Sequence, residues 1–310
     1  YGRRDNKFKA RIKILVKALT PEGFAEKVEA EWQHIKDSPT RLTPEAIQRI
    51  QAYFTEPDYA AIDNATDLLA SQRFENRGFD QWLTHNVDTH KKAGYAIVSL
   101  TMKKTGTPPG DVSDKQLEQI ADLADEFSFG EIRVTHQQNV VLADVRQDRL
   151  FELWQAITPM GFGTANLNTL TDVICCPGGD YCALANAKSI PVAEAIQRQF
   201  DDLDYLYDLG NIDLNISGCM NACGHHHVGN IGVLGVDKKG QEFYQISLGG
   251  SSHHDASIGK ILGPSFARDE MPKVISKIID VYVDKRTEEE TFLDTYRRVG
   301  IDPFKERVYA

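Results

Sequence analysis

The sequence predicts an α+β protein, and three observations carry that expectation. Residues 94–162 run in the order strand, helix, strand, strand, helix, which is the pattern of a ferredoxin-like α/β module. Beyond them, residues 163–310 mix short strands, a hairpin and helices around a knot of cysteines. The chain has 310 residues, 41% hydrophobic and 26% charged, which is enough for one large or two moderate soluble cores.

Taken in order, the first 17 residues are strongly basic. Arg3, Arg4, Lys7, Lys9, Arg11, Lys13 and Lys17 stand against the single acid Asp5. From Lys9 the cations alternate with Ala10, Ile12 and Ile14, and this period of two predicts a strand with Lys9, Arg11 and Lys13 on one face. By itself the pattern reads as a solvated edge strand guarded by charge. No set of stacking aromatics accompanies it, and a net charge of −10 argues against a dedicated nucleic-acid binder. Residues 21–36 form an amphipathic helix, with Pro21 in its first turn and Phe24, Val28 and Trp32 at four-residue steps. Residues 37–93 are irregular in pattern apart from a short helix at 44–54, and read as a connector. His85 and His90 fall there as surface or packing residues.

Residues 94–103 (GYAIVSLTMK) predict a strand by β-branched content. Within 113–127, Leu117, Ile120, Ala121, Leu123 and Ala124 recur at helical spacing behind a capping lead-in. EIRVTH and NVVLADV flank a turn at Gln137 and Gln138 as a strand pair, and 149–159 is a second helix. Further on, 183–200 shows helical faces, with Pro191 marking a break or a fresh start. Residues 211–217 are a strand, and HVGNIGVLGVD and EFYQISLGG flank a KKG turn as a hairpin. A helix at 270–284 precedes the tail FLDTYRRVGIDPF.

All five cysteines lie between Ile174 and Gly224, in ICCPGGDYC and SGCMNACG. Cys176 and Cys182 stand as C-x5-C, and Cys219 and Cys223 as C-x3-C. Bunched thiolates select soft metal centres: iron–sulfur, zinc or copper(I). Structural zinc sits in shorter knuckles, which the first pair fits poorly, and a disulfide framework belongs to small secreted domains. The spacing favours iron–sulfur, with zinc or unligated thiols as the alternatives. Gly178, Gly179, Gly218 and Gly224 flank the cysteines, as close approach of backbone to a cluster requires. His225, His226 and His227 follow the second pair and read as packing groups, because the cysteines already account for the local ligation. Free clustered thiols fit a reducing compartment, which makes a cytoplasmic location the expectation. No signal peptide is visible, and no apolar run approaches the roughly 18 residues of a membrane span.

The cysteine spacing, with TDVICCPGGDYC at the first pair and SGCMNACGHH at the second, resembles the sirohaem-dependent sulfite and nitrite reductases. YGRRDNKFKARIKILV, GEIRVTHQQNVVLADV and FYQISLGG agree in the same order, so the resemblance spans nearly the whole chain. In detail it is most similar to the haemoprotein (beta) component of bacterial sulfite reductase. The resemblance implies a ferredoxin-like α/β half-domain at 94–162, then a sirohaem/[4Fe-4S]-binding α+β domain at 163–310. Residues 1–36 are then the end of a preceding, related half that carries a substrate-anion strand. The resemblance implies that the chain, which begins at Tyr1 without methionine, matches the C-terminal part of a protein nearly twice as long.

The resemblance also assigns roles. It implies a [4Fe-4S] cluster on Cys176, Cys182, Cys219 and Cys223, with the Cys223 sulfur also on the sirohaem iron. Cys175, one residue out of register, then packs as a small apolar residue behind Cys176. Arg11 and Lys13 match a basic pair that meets the substrate anion over the haem. Arg133 and Asn139 match a motif that holds the tetrapyrrole, with Arg133 at a sirohaem carboxylate. The implied activity is six-electron reduction of sulfite to sulfide, as in assimilatory sulfate reduction. Reduction of nitrite to ammonia with the same cofactors is the alternative, and a zinc-stabilised module without redox activity a remote one. No GxGxxG fingerprint follows a strand, and nothing else marks a flavin or nicotinamide site. Electrons are therefore expected from a partner, either an NADPH-fed flavoprotein subunit or a ferredoxin. The other expected partners are the anion and the missing N-terminal half of the same polypeptide, with neither nucleic acid nor a membrane.

Overall fold

The computed structural model describes residues 5, 6 and 9–310, so Arg3, Arg4 and Lys7 of the basic start lie outside the described residues. The chain divides into two compact units, Tyr1–Ala60 and Ala61–Ala310.

The first unit carries α1 (Ile12–Leu19), α2 (Pro21–Ile35) and α3 (Pro44–Gln51). The strand expected over Lys9–Ile14 is thus corrected: Arg11 is the extended residue at the cap of α1, and Ile12 opens the helix. Ile12, Leu15 and Leu19 recur at helical spacing, and α1 packs on α2, where Leu15, Leu19, Phe24, Val28 and Trp32 line one apolar recess. A continuous stripe of that kind outweighs a short alternation, because tertiary packing of an apolar face supplies most helical stability. Arg11 and Lys13 are both exposed and do not share a strand face. Thr20 caps α2, its hydroxyl accepting from the Gly23 N–H at 3.3 Å.

In the second unit, α4 (Thr66–Glu75) and α5 (Arg77–Asn86) lead into β1 (Val87–Thr89) and β2 (Tyr95–Leu100). There follow α6 (Asp114–Phe127), β3 (Arg133–Val134), β4 (Val140–Arg146) and α7 (Leu150–Met160). The strands form an antiparallel sheet in the order β1–β2–β4–β3. Ser113 and Gln116 cap α6 reciprocally, each bonding the other's backbone N–H. The expected connector at 37–93 thus carries α4 and α5 besides the expected short helix, and its last part belongs to this layer. Phe79 and Trp82 on α5 are fully buried in one core with Val98, Leu142 and Leu153. Asn76 makes α5 possible by accepting from the Phe79 N–H at 3.0 Å, a cap that a segment rich in polar residues conceals.

The second sheet is built on β5 (Ile174–Cys175), β6 (Leu214–Ser217), β7 (Ile231–Lys238), β8 (Gln241–Leu248), β9 (Lys260–Ile261) and β10 (Phe266–Ala267). Between β5 and β6 lie α8 (Gly178–Tyr181), α9 (Ile190–Gln199) and α10 (Leu203–Leu209). Pro191 is a fresh helical start, sitting in the first turn of α9, so residues 183–187 are not helical. The strand order is β10–β8–β7–β6–β5, with β9 paired to β8. The pairs β5–β6 and β6–β7 are parallel, and β7–β8 is the expected hairpin. After the sheet come α11 (Met271–Lys285), α12 (Phe292–Val299) and α13 (Asp302–Tyr309). Ile275, Ile278 and Ile279 of α11 are buried in the same core as Ile216, Val233 and Ile246. Among the described residues no helix is long and apolar enough to cross a membrane.

Candidate functional site

Parallel pairing brings the C-terminal ends of β5 and β6 side by side, and both cysteine groups leave the sheet there. Loops at such strand ends are where open sheets place their ligands. The two loops are tied directly to each other. The Cys176 N–H donates to the Ile216 carbonyl at 3.1 Å, and the N–H groups of Asn186 and Ala187 donate to the Gly218 carbonyl at 2.9 and 3.0 Å. The Cys176 sulfur accepts from the Gly218 N–H at 3.1 Å, the kind of donor that stabilises a thiolate. A β-carbon on Gly218 would stand 2.7 Å from the Ala187 oxygen and 2.8 Å from the Gly178 Cα, so only glycine lets the loops touch. Ala222 and His225 hold positive φ of 58° and 53° on either side of Cys223, marking a strained turn that presents this cysteine to solvent.

The cysteines differ in setting. Cys175 and Cys219 are buried, Cys176 and Cys182 half-buried, and Cys223 exposed. Burial pushes the Cys175 thiol well above its ordinary range, and its S–H donates to the Cys176 carbonyl at 3.2 Å. A thiol held protonated in the core is a poor metal ligand. Among the described residues no group of three or more His, Cys, Asp or Glu side chains converges in metal-holding geometry, so the loops meet but the thiols are not drawn to one point. The donor set nonetheless fits an iron–sulfur cluster: clustered thiols, a backbone N–H already on one sulfur, and glycine-tight loops.

The turn between β3 and β4 clamps the first loop. Gln138, at a φ of 61°, bonds the Cys175 backbone twice: its amide oxygen accepts from the N–H at 2.8 Å, and its amide nitrogen donates to the carbonyl at 2.9 Å. Asn139 is buried and turned inward. Its amide oxygen accepts from the Met102 N–H at 3.0 Å and its amide nitrogen donates to Asp172 at 2.9 Å. Arg133 lies exposed on β3 with its Nε 2.6 Å from Glu131. Lys103, which touches Asp172 and Val173 just before the cysteine run, had no motif to single it out, and Gln138 lay in a stretch that carries the resemblance without a role of its own. The only signal for Gln138 was its place in the turn of HQQN.

Beside the second loop, Met220, His226, His227, Ser247 and Gly259 help line a cavity of about 310 Å³. The buried His226 Nδ1 and Ser247 Oγ find no hydrogen-bond partner among the described residues. Burial, with the His227 ring centroid 4.2 Å away, lowers His226 from 6.5 to about 4. Its folded-state affinity for a proton is therefore below that of the unfolded chain. Above about 6.5 the group has no effect on stability, and the protein should lose stability as pH falls from there towards about 4. His226→Asn is expected to flatten that slope, read as urea midpoints across the window; an unchanged slope would remove His226 as its source.

A family model described as the nitrite/sulfite reductase ferredoxin-like half domain matches residues 100–160. A second, the nitrite and sulphite reductase 4Fe-4S domain, matches residues 167–310. "Sulfite reductase [ferredoxin] 2" of Mycolicibacterium paratuberculosis is 26% identical, over 98% of this chain and 50% of its own length. "Ferredoxin--nitrite reductase" of Synechococcus elongatus is 28% identical, over 62% of this chain and 37% of its own. The chain thus spans about half the length, or less, of these curated relatives. The solved structure of the Mycobacterium tuberculosis NirA protein superposes with a TM-score of 0.64 at 24% identity, over 98% of this chain and 50% of that one. Dissimilatory sulfite reductase I superposes at 0.58 with 14% identity, over 87% and 91%. Both likenesses are of fold.

Proposed function

The chain belongs to the nitrite and sulfite reductase family, whose cofactors are a [4Fe-4S] cluster and sirohaem, and from that premise we propose that it works in the reduction of sulfite to sulfide. One observation carries the reading: two cysteine loops bonded to each other at the ends of β5 and β6, inside the stretch matched by the 4Fe-4S domain. Cys176, Cys182, Cys219 and Cys223 would hold the cluster, with Cys223 shared with the sirohaem iron. The bound groups supply single-electron transfer and an iron for the anion; the chain supplies ligands, orientation and a screened setting. Gly218 donates to the Cys176 sulfur, Gln138 fixes the backbone beside it, and Asn139 braces Asp172 behind the loop. Ferredoxin is the donor that the names of the relatives support.

Sulfite is favoured over nitrite by the resemblance of residues 1–17 and by relatives named sulfite reductase that cover 98% of the chain. Arg11 and Lys13 are assigned to the anion and Arg133 to a sirohaem carboxylate, on resemblance alone. Steady-state kinetics of the full-length enzyme with both anions test the reading, with the higher kcat/KM expected for sulfite. A preference for nitrite of about tenfold or more would turn it to nitrite reduction. In the same assay Arg11→Ala and Lys13→Ala should each lose at least about tenfold, or about 1.4 kcal/mol, with cofactor spectra intact. Losses within about twofold in both would take these residues out of the substrate site.

A further inference from the structure

Lys103 follows β2 and is fully buried, an unusual position for a lysine. Its ammonium donates to the Gln137 carbonyl at 2.7 Å and the Val173 carbonyl at 2.8 Å, and lies 3.2 Å from Asp172 Oδ1. The same Oδ1 accepts from Asn139 at 2.9 Å, and Oδ2 accepts from the Asn168 N–H at 3.0 Å. Asp172 and Val173 run straight into β5 and its cysteines, while Gln137 and Asn139 flank the Gln138 clamp. One ion pair thus joins the end of β2, the turn before β4 and the entry to the first cysteine loop. Burial lowers the affinity of Lys103 for its proton, and Asp172 opposes that effect.

A buried ion pair is a weak device for stability alone, since apolar residues of similar volume often serve as well or better. What apolar residues cannot offer is fixed charge, poorly screened, beside a centre that changes charge when it is reduced. Reduction potentials of iron–sulfur clusters respond to local charge, hydrogen bonds to the sulfurs and exposure. We propose that Lys103 is a positioning residue for the cluster-bearing loop, and that its charge raises the potential of the cluster held by Cys176, Cys182, Cys219 and Cys223 by about as much as the charge of Asp172 lowers it. The inference rests on the cluster reading of those cysteines and deepens it.

Opposite signs make the test. In the full-length holoenzyme, Lys103→Met leaves Asp172 uncompensated and should lower the cluster midpoint potential. Asp172→Asn leaves Lys103 uncompensated and should raise it. The double variant should return close to the wild-type value. Each single shift is expected at about tenfold in the reduction equilibrium, which is 59 mV for a one-electron couple. Potentials are read by redox titration monitored by electron paramagnetic resonance, with iron and acid-labile sulfide measured on every sample. A purely structural latch would move both single variants the same way, or neither, and either result with full iron overturns the charge role. Where Lys103→Met does not fold, Asp172→Asn and the double variant still decide, because only the charge role predicts a rise in one that the other cancels. Wild-type enzyme without iron and sulfide would overturn the cluster reading itself, an outcome distinct from potentials that stay still in a loaded enzyme.

Discussion

Cys176→Ser is expected to empty the cluster site, whereas Cys175→Ser keeps its iron and acid-labile sulfide and most of its activity. The two side chains are neighbours, but successive side chains of an extended segment point to opposite sides. Cys175 lies 3% exposed within the core that also holds Ile216 and Val233, with its thiol kept protonated by burial. Cys176 turns the other way, its sulfur under the Gly218 N–H and 3.6 Å from the Ser189 hydroxyl. Serine at 175 exchanges a buried thiol for a hydroxyl that can still reach the Cys176 carbonyl, at a cost of about 1–2 kcal/mol. Serine at 176 replaces a soft ligand by a hard, weakly acidic one, which holds cluster iron far less well. If Cys223 is shared between the two groups as proposed, loss of the cluster would also release sirohaem. Iron and sulfide assays on both variants decide the register. Iron lost from Cys175→Ser and kept in Cys176→Ser would shift it by one residue.

Gly224→Ala should disable both cysteine loops at once. A β-carbon there would overlap the Ile216 carbonyl oxygen, which is backbone and cannot step aside as a flexible side chain could. That same oxygen accepts the Cys176 N–H at 3.1 Å, while the Gly224 N–H donates to the Ser217 hydroxyl at 3.1 Å. Relief of the overlap must therefore move the end of β6, the entry to the first loop, or both. Overpacking of this sort costs about 3 kcal/mol or more when backbone has to yield. Thermal denaturation should show the midpoint falling by several degrees, and iron content should fall with it. Gly23→Ala serves as the control, because the added carbon meets nothing nearer than 3.7 Å and lies in a helix, where alanine is favoured. Equal stability and iron in the two variants would show that the Gly224 contact imposes no constraint.

Local chemistry was legible in the residues. The cysteine pairs, the glycines beside them, the capping box of Ser113 and Gln116, and the β7–β8 hairpin all depend on neighbours a few positions away. The α+β class followed from the same short-range signals. The basic opening misled, because six residues of alternation satisfy a strand while the stripe of Ile12, Leu15 and Leu19 satisfies a helix packed on α2. Residues 66–89 misled for a related reason: the cap at Asn76 and the burial of Phe79 and Trp82 show only when the rest of that core is present.

The sequence by itself determined which side chains could bind a soft metal, the cysteines grouped between Ile174 and Gly224. Only the tertiary structure decided what stands behind them. Gln138 reaches Cys175 across 37 positions and Lys103 reaches Asp172 across 69, and no periodicity encodes such a pairing. Asn139 reads in sequence as a cofactor contact, yet packing turns its amide inward to Met102 and Asp172. Buried polar groups must find partners wherever the fold brings them, so their roles are set by long-range packing rather than by nearby sequence.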